Sequence, residues 1–89
     1  MKYKIEKIVT LTGARRYGHA EAEVEWLLTD SRSLVYPETS LFFAIKTASG
    51  DGHDFIQELY QRGVRNFVVT SLPQKRETVY PDANFLQIP

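Results

Sequence analysis

The spacing of hydrophobic residues near the amino terminus is that of a helix. Ile5, Ile8 and Val9 would lie on one helical face, and Gly13 follows at a position where helices often end. The sequence therefore predicts a short amphipathic helix over residues 4–12.

Two later segments have the spacing of strands. Between Ala22 and Leu28 apolar residues first alternate with glutamates, which predicts a strand that is half-exposed at its start and buried by Leu28. The unbroken apolar run over 41–45 predicts a central strand over 41–46 that is covered on both faces. Turn-forming residues around Pro37 separate the two strands.

A clear helical pattern lies between Asp51, a good N-cap residue, and Gly63, and it predicts a helix over 53–62. An apolar strand over 67–70 follows, and residues 85–88 form a last strand-like run. Strand, helix and strand at this spacing form a βαβ unit with parallel strands. We therefore predict the α/β fold class, as a small three-layer-like domain in which helices flank a mostly parallel sheet.

The composition excludes several classes of protein. The chain has 89 residues, 43% of them hydrophobic, and 11 Lys and Arg balance 11 Asp and Glu. Residues 1–89 should therefore form a single domain with one core. Zero net charge argues against nucleic acid or a membrane as the main partner, and the lack of cysteine excludes disulfide and thiolate chemistry. With no signal peptide and no membrane-spanning run, we expect the protein in the cytoplasm.

The chain stops at Pro89, directly after the last predicted strand. Such an ending is expected where a longer protein has been divided at a domain boundary. None of the five glycines has the spacing of a nucleotide-triphosphate loop. We therefore expect either a small binding module or a piece of a longer protein.

Four polar residues follow the strand that ends at Leu28, namely Thr29, Asp30, Ser31 and Arg32. At the carboxyl edge of a parallel sheet, where ligands bind, a hydroxyl and backbone amides suit a diphosphate, and Arg32 suits a phosphate. Alternatively, an ion pair between Asp30 and Arg32 locks a turn. The residues alone leave both interpretations open.

Other candidate chemistry has less support. Gly50, Asp51 and Gly52 precede the predicted helix, where amides attract anions, but a simple turn with Asp51 as N-cap is favoured. We expect His53 to be solvent-facing or capping rather than a general base. His19 and His53 lie far apart with no third ligand, so we predict no metal site, and we predict no catalytic residue.

Several blocks occur in a characteristic order: Thr29-Asp30-Ser31-Arg32, Tyr36-Pro37, Leu41-Phe42-Phe43-Ala44-Ile45-Lys46, Asp51-Gly52-His53-Asp54-Phe55-Ile56, Gly63-Val64 and Phe67-Val68-Val69. In order and spacing they resemble the N-terminal domain of the Mur ligases, which build the peptidoglycan stem peptide. Within that family the sequence looks most like the ligase that adds D-alanyl-D-alanine to a UDP-N-acetylmuramoyl-tripeptide, including the form fused to an alanine racemase. The ligase that adds the third amino acid is the closest rival.

The resemblance implies a function for this domain. It would hold the UDP part of a UDP-N-acetylmuramoyl-peptide, while later domains of the same chain would bind ATP and Mg²⁺ and form an amide bond. The domain itself would hold no cofactor and would not be catalytic. A free-standing protein-interaction module on the same scaffold is the alternative.

The resemblance also implies which residues face the substrate. They lie in two loops that follow strands, and they are Thr29, Asp30, Ser31, Arg32, Lys46 and Thr47. Ser31 would lie against the uridine diphosphate, and its three neighbours would shape the loop. In the second loop, 46–49, Lys46 offers a charge to phosphate, whereas Thr47 stands where family members commonly carry glycine.

Overall fold

The computed structural model describes residues 2–47 and 50–89. The strands and helices are β1 (Tyr3–Lys4), α1 (Ile5–Thr12), β2 (Arg15–Tyr17), β3 (Glu23–Val24), β4 (Trp26–Leu28), β5 (Ser40–Ala44), β6 (Lys46–Thr47), β7 (Gly50–Asp51), α2 (Ile56–Gln61), β8 (Asn66–Val69), α3 (Arg76–Val79) and β9 (Asn84–Gln87). Short 3₁₀ helices cover Ser31–Ser33, Pro37–Thr39 and Gly52–Phe55.

The central sheet has five strands in the order β2-β9-β8-β5-β4. Four of them, β4, β5, β8 and β9, are parallel, and β2 joins the edge antiparallel to β9. The predicted βαβ unit is confirmed as β5, α2 and β8. The carboxyl ends of β4, β5 and β8 therefore meet at one edge of the sheet.

Each face of the sheet is covered by a different helix. Because side chains alternate along a strand, Phe42, Phe67 and Phe85 face α2, and the rings of Phe67 and Phe85 stack 5.3 Å apart. Leu41 and Val68 point the other way, toward α1. Helix, sheet and helix form three layers, so the predicted α/β fold class is confirmed.

The helix ends follow the sequence signals. α1 begins at Ile5 and ends at Gly13, whose φ of 68° is left-handed and whose N–H donates to the carbonyl oxygen of Val9. The predicted helix over 53–62 begins as the 3₁₀ turn Gly52–Phe55 and continues as α2. Asp51 is its N-cap, as predicted.

The prediction of one continuous strand between Ala22 and Leu28 is wrong, because this segment forms two strands that belong to different sheets. β3 pairs with β1 in a separate two-stranded sheet, whereas β4 forms the edge of the central sheet. Glu25 lies between them, and its N–H donates to the carbonyl oxygen of Thr39. Because β4 is an edge strand with one neighbour, Leu27 is 68% exposed even though Leu28 is buried as predicted.

The elements that the sequence analysis missed are short. β2 carries two arginines and no apolar alternation, and α3 is only four residues long. The segment after β5, predicted to be a loop, contains the two-residue strands β6 and β7, which pair antiparallel. Within the described residues, no helix is both long enough and apolar enough to cross a bilayer.

Candidate functional site

A cavity of about 480 Å³ lies at the carboxyl ends of β4 and β5, and we call it the β4–β5 cavity. Its polar wall consists of Thr29, Asp30, Ser31, Arg32, Gly50, Asp51 and Gly52, and its apolar wall of Phe42, Phe43, Ile45 and Phe55. The four polar residues that follow β4 are thus brought together with the glycine-containing turn before α2. This position is where parallel α/β sheets bind ligands.

The ion pair between Asp30 and Arg32 is present. Asp30 Oδ1 accepts from the backbone N–H of Arg32 at 2.9 Å, and Oδ2 accepts from Nη2 at 2.8 Å, with Nε at 3.1 Å from Oδ1. The side-chain and backbone hydrogen bonds from Arg32 lower the pKa of Asp30 to about 2. The turn-locking interpretation is therefore confirmed, and the guanidinium of Arg32 is already bound to a carboxylate.

Ser31 is held in this turn by its backbone. Its carbonyl oxygen accepts from Leu34 N at 3.4 Å and from Arg62 Nη1 at 3.3 Å, which connects the turn to the end of α2. The hydroxyl group takes no part in these contacts. Ser31 therefore lines the cavity from a turn whose carbonyl oxygen is hydrogen-bonded to Leu34 and Arg62.

The turn before α2 approaches β5 closely at Gly52. Its N–H donates to the carbonyl oxygen of Ile45 at 2.8 Å. A Cβ atom at this position would lie 2.8 Å from Ile45 N and 2.9 Å from the Cα of Ala44. Glycine is thus the residue that lets the start of the helix lie against the end of the strand.

His53 caps the ends of two elements. Its Nδ1 lies 2.6 Å from Asp51 Oδ1, and its Nε2 lies 3.2 Å from Thr70 N and 3.3 Å from Ser71 N. The capping role is confirmed, but the ring does not face solvent, since the side chain is 17% exposed. The backbone N–H and then the ring of His53 lower the pKa of Asp51.

A second cavity, of about 360 Å³, lies at the carboxyl ends of β5 and β8, and we call it the β5–β8 cavity. Its wall consists of Lys46, Asp51, His53, Ile56, Thr70, Ser71, Leu72, Pro73 and Tyr80. Lys46 therefore lies in a neighbouring cavity rather than with Thr29–Arg32, and Asp51 lines both. Thr47 follows Lys46 in β6, paired with Gly50; the rest of the predicted loop, Ala48 and Ser49, lies outside the described residues.

Sequence reasoning missed two polar residues of the β5–β8 cavity. Thr70 and Ser71 follow β8 directly, as Thr29 and Asp30 follow β4, so the same signal of polar side chains after a buried strand would have found them. Among residues 2–47 and 50–89, no group of three or more His, Asp or Glu side chains is arranged to hold a metal ion.

No protein-family model matches the chain. Its relatives include the UDP-N-acetylmuramoyl-L-alanyl-D-glutamate–2,6-diaminopimelate ligase of Phocaeicola vulgatus, 33% identical over 86 residues, which are 96% of this chain and 17% of the relative. Another is ligase 1 of the same name from Clostridium acetobutylicum, 36% identical over 76 residues, covering 81% of this chain and 15% of the relative. The chain thus spans less than a fifth of the length of these relatives.

Solved structures are similar over nearly the whole chain. MurF from Acinetobacter baumannii superimposes with a TM-score of 0.81 at 18% identity, covering 99% of this chain and 18% of that one. A structure of the UDP-N-acetylmuramoylalanyl-D-glutamyl-2,6-diaminopimelate–D-alanyl-D-alanyl ligase from the same organism gives 0.80. The chain is therefore a three-layer α/β domain with cavities at the carboxyl edge of its sheet. More specifically, it has the fold of the Mur ligase N-terminal domain.

Proposed function

We propose that this chain is the N-terminal substrate-binding domain of a Mur ligase and that it binds the UDP part of a UDP-N-acetylmuramoyl-peptide. The observation that carries the proposal is the β4–β5 cavity, where the turn after β4 meets the glycine-containing turn before α2. The names of the relatives, which specify UDP-N-acetylmuramoyl substrates, support the same ligand.

The diphosphate is assigned to the turn that contains Ser31. A diphosphate is an anionic hydrogen-bond acceptor, and the Ser31 hydroxyl is a donor on a fixed backbone. The Asp30–Arg32 ion pair holds that turn in shape, so Arg32 acts as a positioning residue rather than as a direct phosphate ligand. Thr29 lines the cavity beside this turn.

Charge balance in the cavity is compatible with an anion. The negative charge of Asp30 is compensated by Arg32, and that of Asp51 by its hydrogen bonds with His53 and by the nearby Lys46. Lys46, with Thr47 beside it in β6, supplies positive charge from the neighbouring cavity. The negative charges of Asp30 and Asp51 are therefore offset by these neighbours, so the cavity can accept an anionic ligand.

The role of this domain in the complete enzyme is orientation. ATP and Mg²⁺ act in later domains of the parent chain, where the peptide carboxylate is activated and an amine forms the amide bond. Holding the UDP end of a long substrate fixes where its other end reaches, and orientation of this kind removes a large part of a bimolecular barrier. The domain itself performs no chemical step.

The specific reaction of the parent has two candidates. Addition of D-alanyl-D-alanine is the expectation from the sequence blocks, and the likeness to MurF structures supports it at the level of fold. Addition of the third amino acid is supported by relatives 31–36% identical that are named 2,6-diaminopimelate ligases. ADP release by the full-length protein with each UDP-muramoyl peptide and each amine distinguishes the two.

Calorimetric titration of the chain with UDP tests the site. Ser31→Ala should weaken UDP binding about tenfold, because a hydrogen bond to a charged group is lost. Ser33→Ala is the matched control, since Ser33 lies in the same 3₁₀ turn but does not line the cavity, and it should bind UDP as the unmodified chain does. Equal affinity for UDP in both variants would contradict the assignment to Ser31, and no saturable UDP binding by the unmodified chain would contradict the proposed function.

A further inference from the structure

The ring of His53 makes two contacts that respond in opposite ways to a proton. Its Nδ1 lies 2.6 Å from Asp51 Oδ1, and its Nε2 lies 3.2 Å from Thr70 N and 3.3 Å from Ser71 N. The backbone N–H groups of Thr70 and Ser71 can only donate, so Nε2 is the unprotonated nitrogen and Nδ1 carries the ring proton. A second proton can therefore bind only at Nε2, where it would face two donors.

The contact with Asp51 survives the addition of that proton. An imidazolium donates from Nδ1 as the neutral ring does, and its positive charge strengthens the hydrogen bond to a carboxylate. The backbone N–H and the ring of His53 lower the pKa of Asp51, so the carboxylate stays charged over the range in which histidines titrate. Asp51 therefore favours the protonated ring, whereas the N–H groups of Thr70 and Ser71 oppose it.

Other titratable side chains lie near the ring. Lys46 on β6 and Tyr80, which follows α3, line the same β5–β8 cavity. Asp54 follows His53 in the 3₁₀ turn Gly52–Phe55 but lies outside that cavity. Of these residue types, histidine is the one that ordinarily changes charge between about pH 5 and pH 8. A change of contacts at this cavity over that range is therefore assigned to His53.

The backbone after β8 can separate from the ring without unfolding the sheet. Thr70 and Ser71 are exposed, so water can accept from their N–H groups once Nε2 no longer does. Val69, at the end of β8, is buried. Gln87 Nε2 donates to the carbonyl oxygen of Thr70 at 3.2 Å, and Leu72 packs against the core. These two contacts limit the movement to a local opening between the ring and the turn.

We propose that His53 is a pH-sensitive switch at the wall of the β5–β8 cavity. The neutral ring holds Thr70 and Ser71 against the turn before α2, and the cavity is closed on that side. The protonated ring keeps Asp51 and releases the two N–H groups, which opens the cavity between the end of β8 and the start of the helix. The switch needs no ligand, so its test is independent of UDP binding.

Nuclear magnetic resonance of the ¹⁵N-labelled chain measures both states of the switch. At about pH 8, Nε2 should be unprotonated, with nuclear Overhauser contacts between the ring and the N–H protons of Thr70 and Ser71. Lowering the pH to about 5 should protonate Nε2 and abolish these contacts, and the two N–H signals should move upfield on the titration curve of the ring. The proposal is overturned if Nε2 stays unprotonated at about pH 5, or if the ring is protonated and the contacts remain.

Two substitutions of His53 fix the switch in its two states. The side-chain oxygen of glutamine can replace Nε2 as an acceptor and does not titrate, so His53→Gln should keep the Thr70 and Ser71 signals near their high-pH positions throughout. Leucine offers no acceptor, so His53→Leu should keep them near their low-pH positions. His19→Gln changes the other histidine, which is exposed and outside the cavity, and it should retain the titration of the unmodified chain. A titration of Thr70 and Ser71 that persists in His53→Gln would assign it to another group, and the switch would be wrong.

Discussion

His53 accepts hydrogen bonds from two backbone N–H groups while it contacts the carboxylate of Asp51. Its Nε2 faces the N–H groups of Thr70 and Ser71, which can only donate, so the ring proton must lie on Nδ1, 2.6 Å from Asp51 Oδ1. Asp51 also caps the turn before α2. This one contact therefore joins the end of β8 to the start of the helix and lies where the two carboxyl-edge cavities meet.

Replacing His53 by leucine should lower the free energy of unfolding by about 1–3 kcal/mol, because Asp51 loses a donor and two N–H groups lose their acceptor. Urea unfolding measures this loss. His19→Leu is the control, since His19 is exposed and lies outside both carboxyl-edge cavities. Equal midpoints for the two variants would show that the His53 contacts contribute nothing to stability.

Gly52→Ala should be strongly destabilising. The added methyl group would lie within 3.0 Å of backbone atoms of Ala44 and Ile45, which cannot rotate away as a side chain can. We expect a loss of about 1–3 kcal/mol in thermal or urea unfolding. Gly13→Asn is the comparison: a Cβ atom at Gly13 would have no neighbouring atom within 4 Å, and asparagine tolerates its left-handed backbone. A smaller loss for Gly52→Ala than for Gly13→Asn would contradict the close approach.

The stability of the domain should fall in acid partly through Asp30. Its pKa is about 2 in the folded state and about 3.9 in an unfolded chain, so its contribution is complete above about pH 4 and is lost as the pH falls toward 2. The lowered pKa of Asp51 acts in the same direction. The free energy of unfolding measured from about pH 6 to 2 should therefore decline less steeply in Asp30→Asn than in the unmodified chain. Parallel declines would contradict the ion pair with Arg32.

The elements that the sequence predicted well are those with one consistent hydrophobic period. β5 is covered on both faces and α2 buries Ile56 and Leu59, so their patterns reflect burial directly. The break at Glu25 could not be predicted, because alternation reports which face is buried and not which sheet a strand joins. The short β2 carries no such pattern.

The candidate site was predictable only in part, for a similar reason. Thr29–Arg32 could be found because polar residues follow a buried strand. Asp51 lines both carboxyl-edge cavities, and Lys46 lies in the β5–β8 cavity. Both placements depend on how the turns after β5 fold back against that strand, which the sequence does not reveal. Asn66 and Asn84 are apart in sequence and meet only through the register of β8 with β9. Pairings set by register are not visible in a single sequence.

Mapping of UDP on the chain by backbone amide chemical shifts tests the central claim most directly. The account predicts saturable shifts that are largest in the turn Thr29–Arg32 and at Gly50–His53, with uridine giving weaker shifts because it lacks the diphosphate. Shifts centred on the amino edge of the sheet, around Asn66 and Asn84, or equal shifts with uridine and UDP, would contradict it.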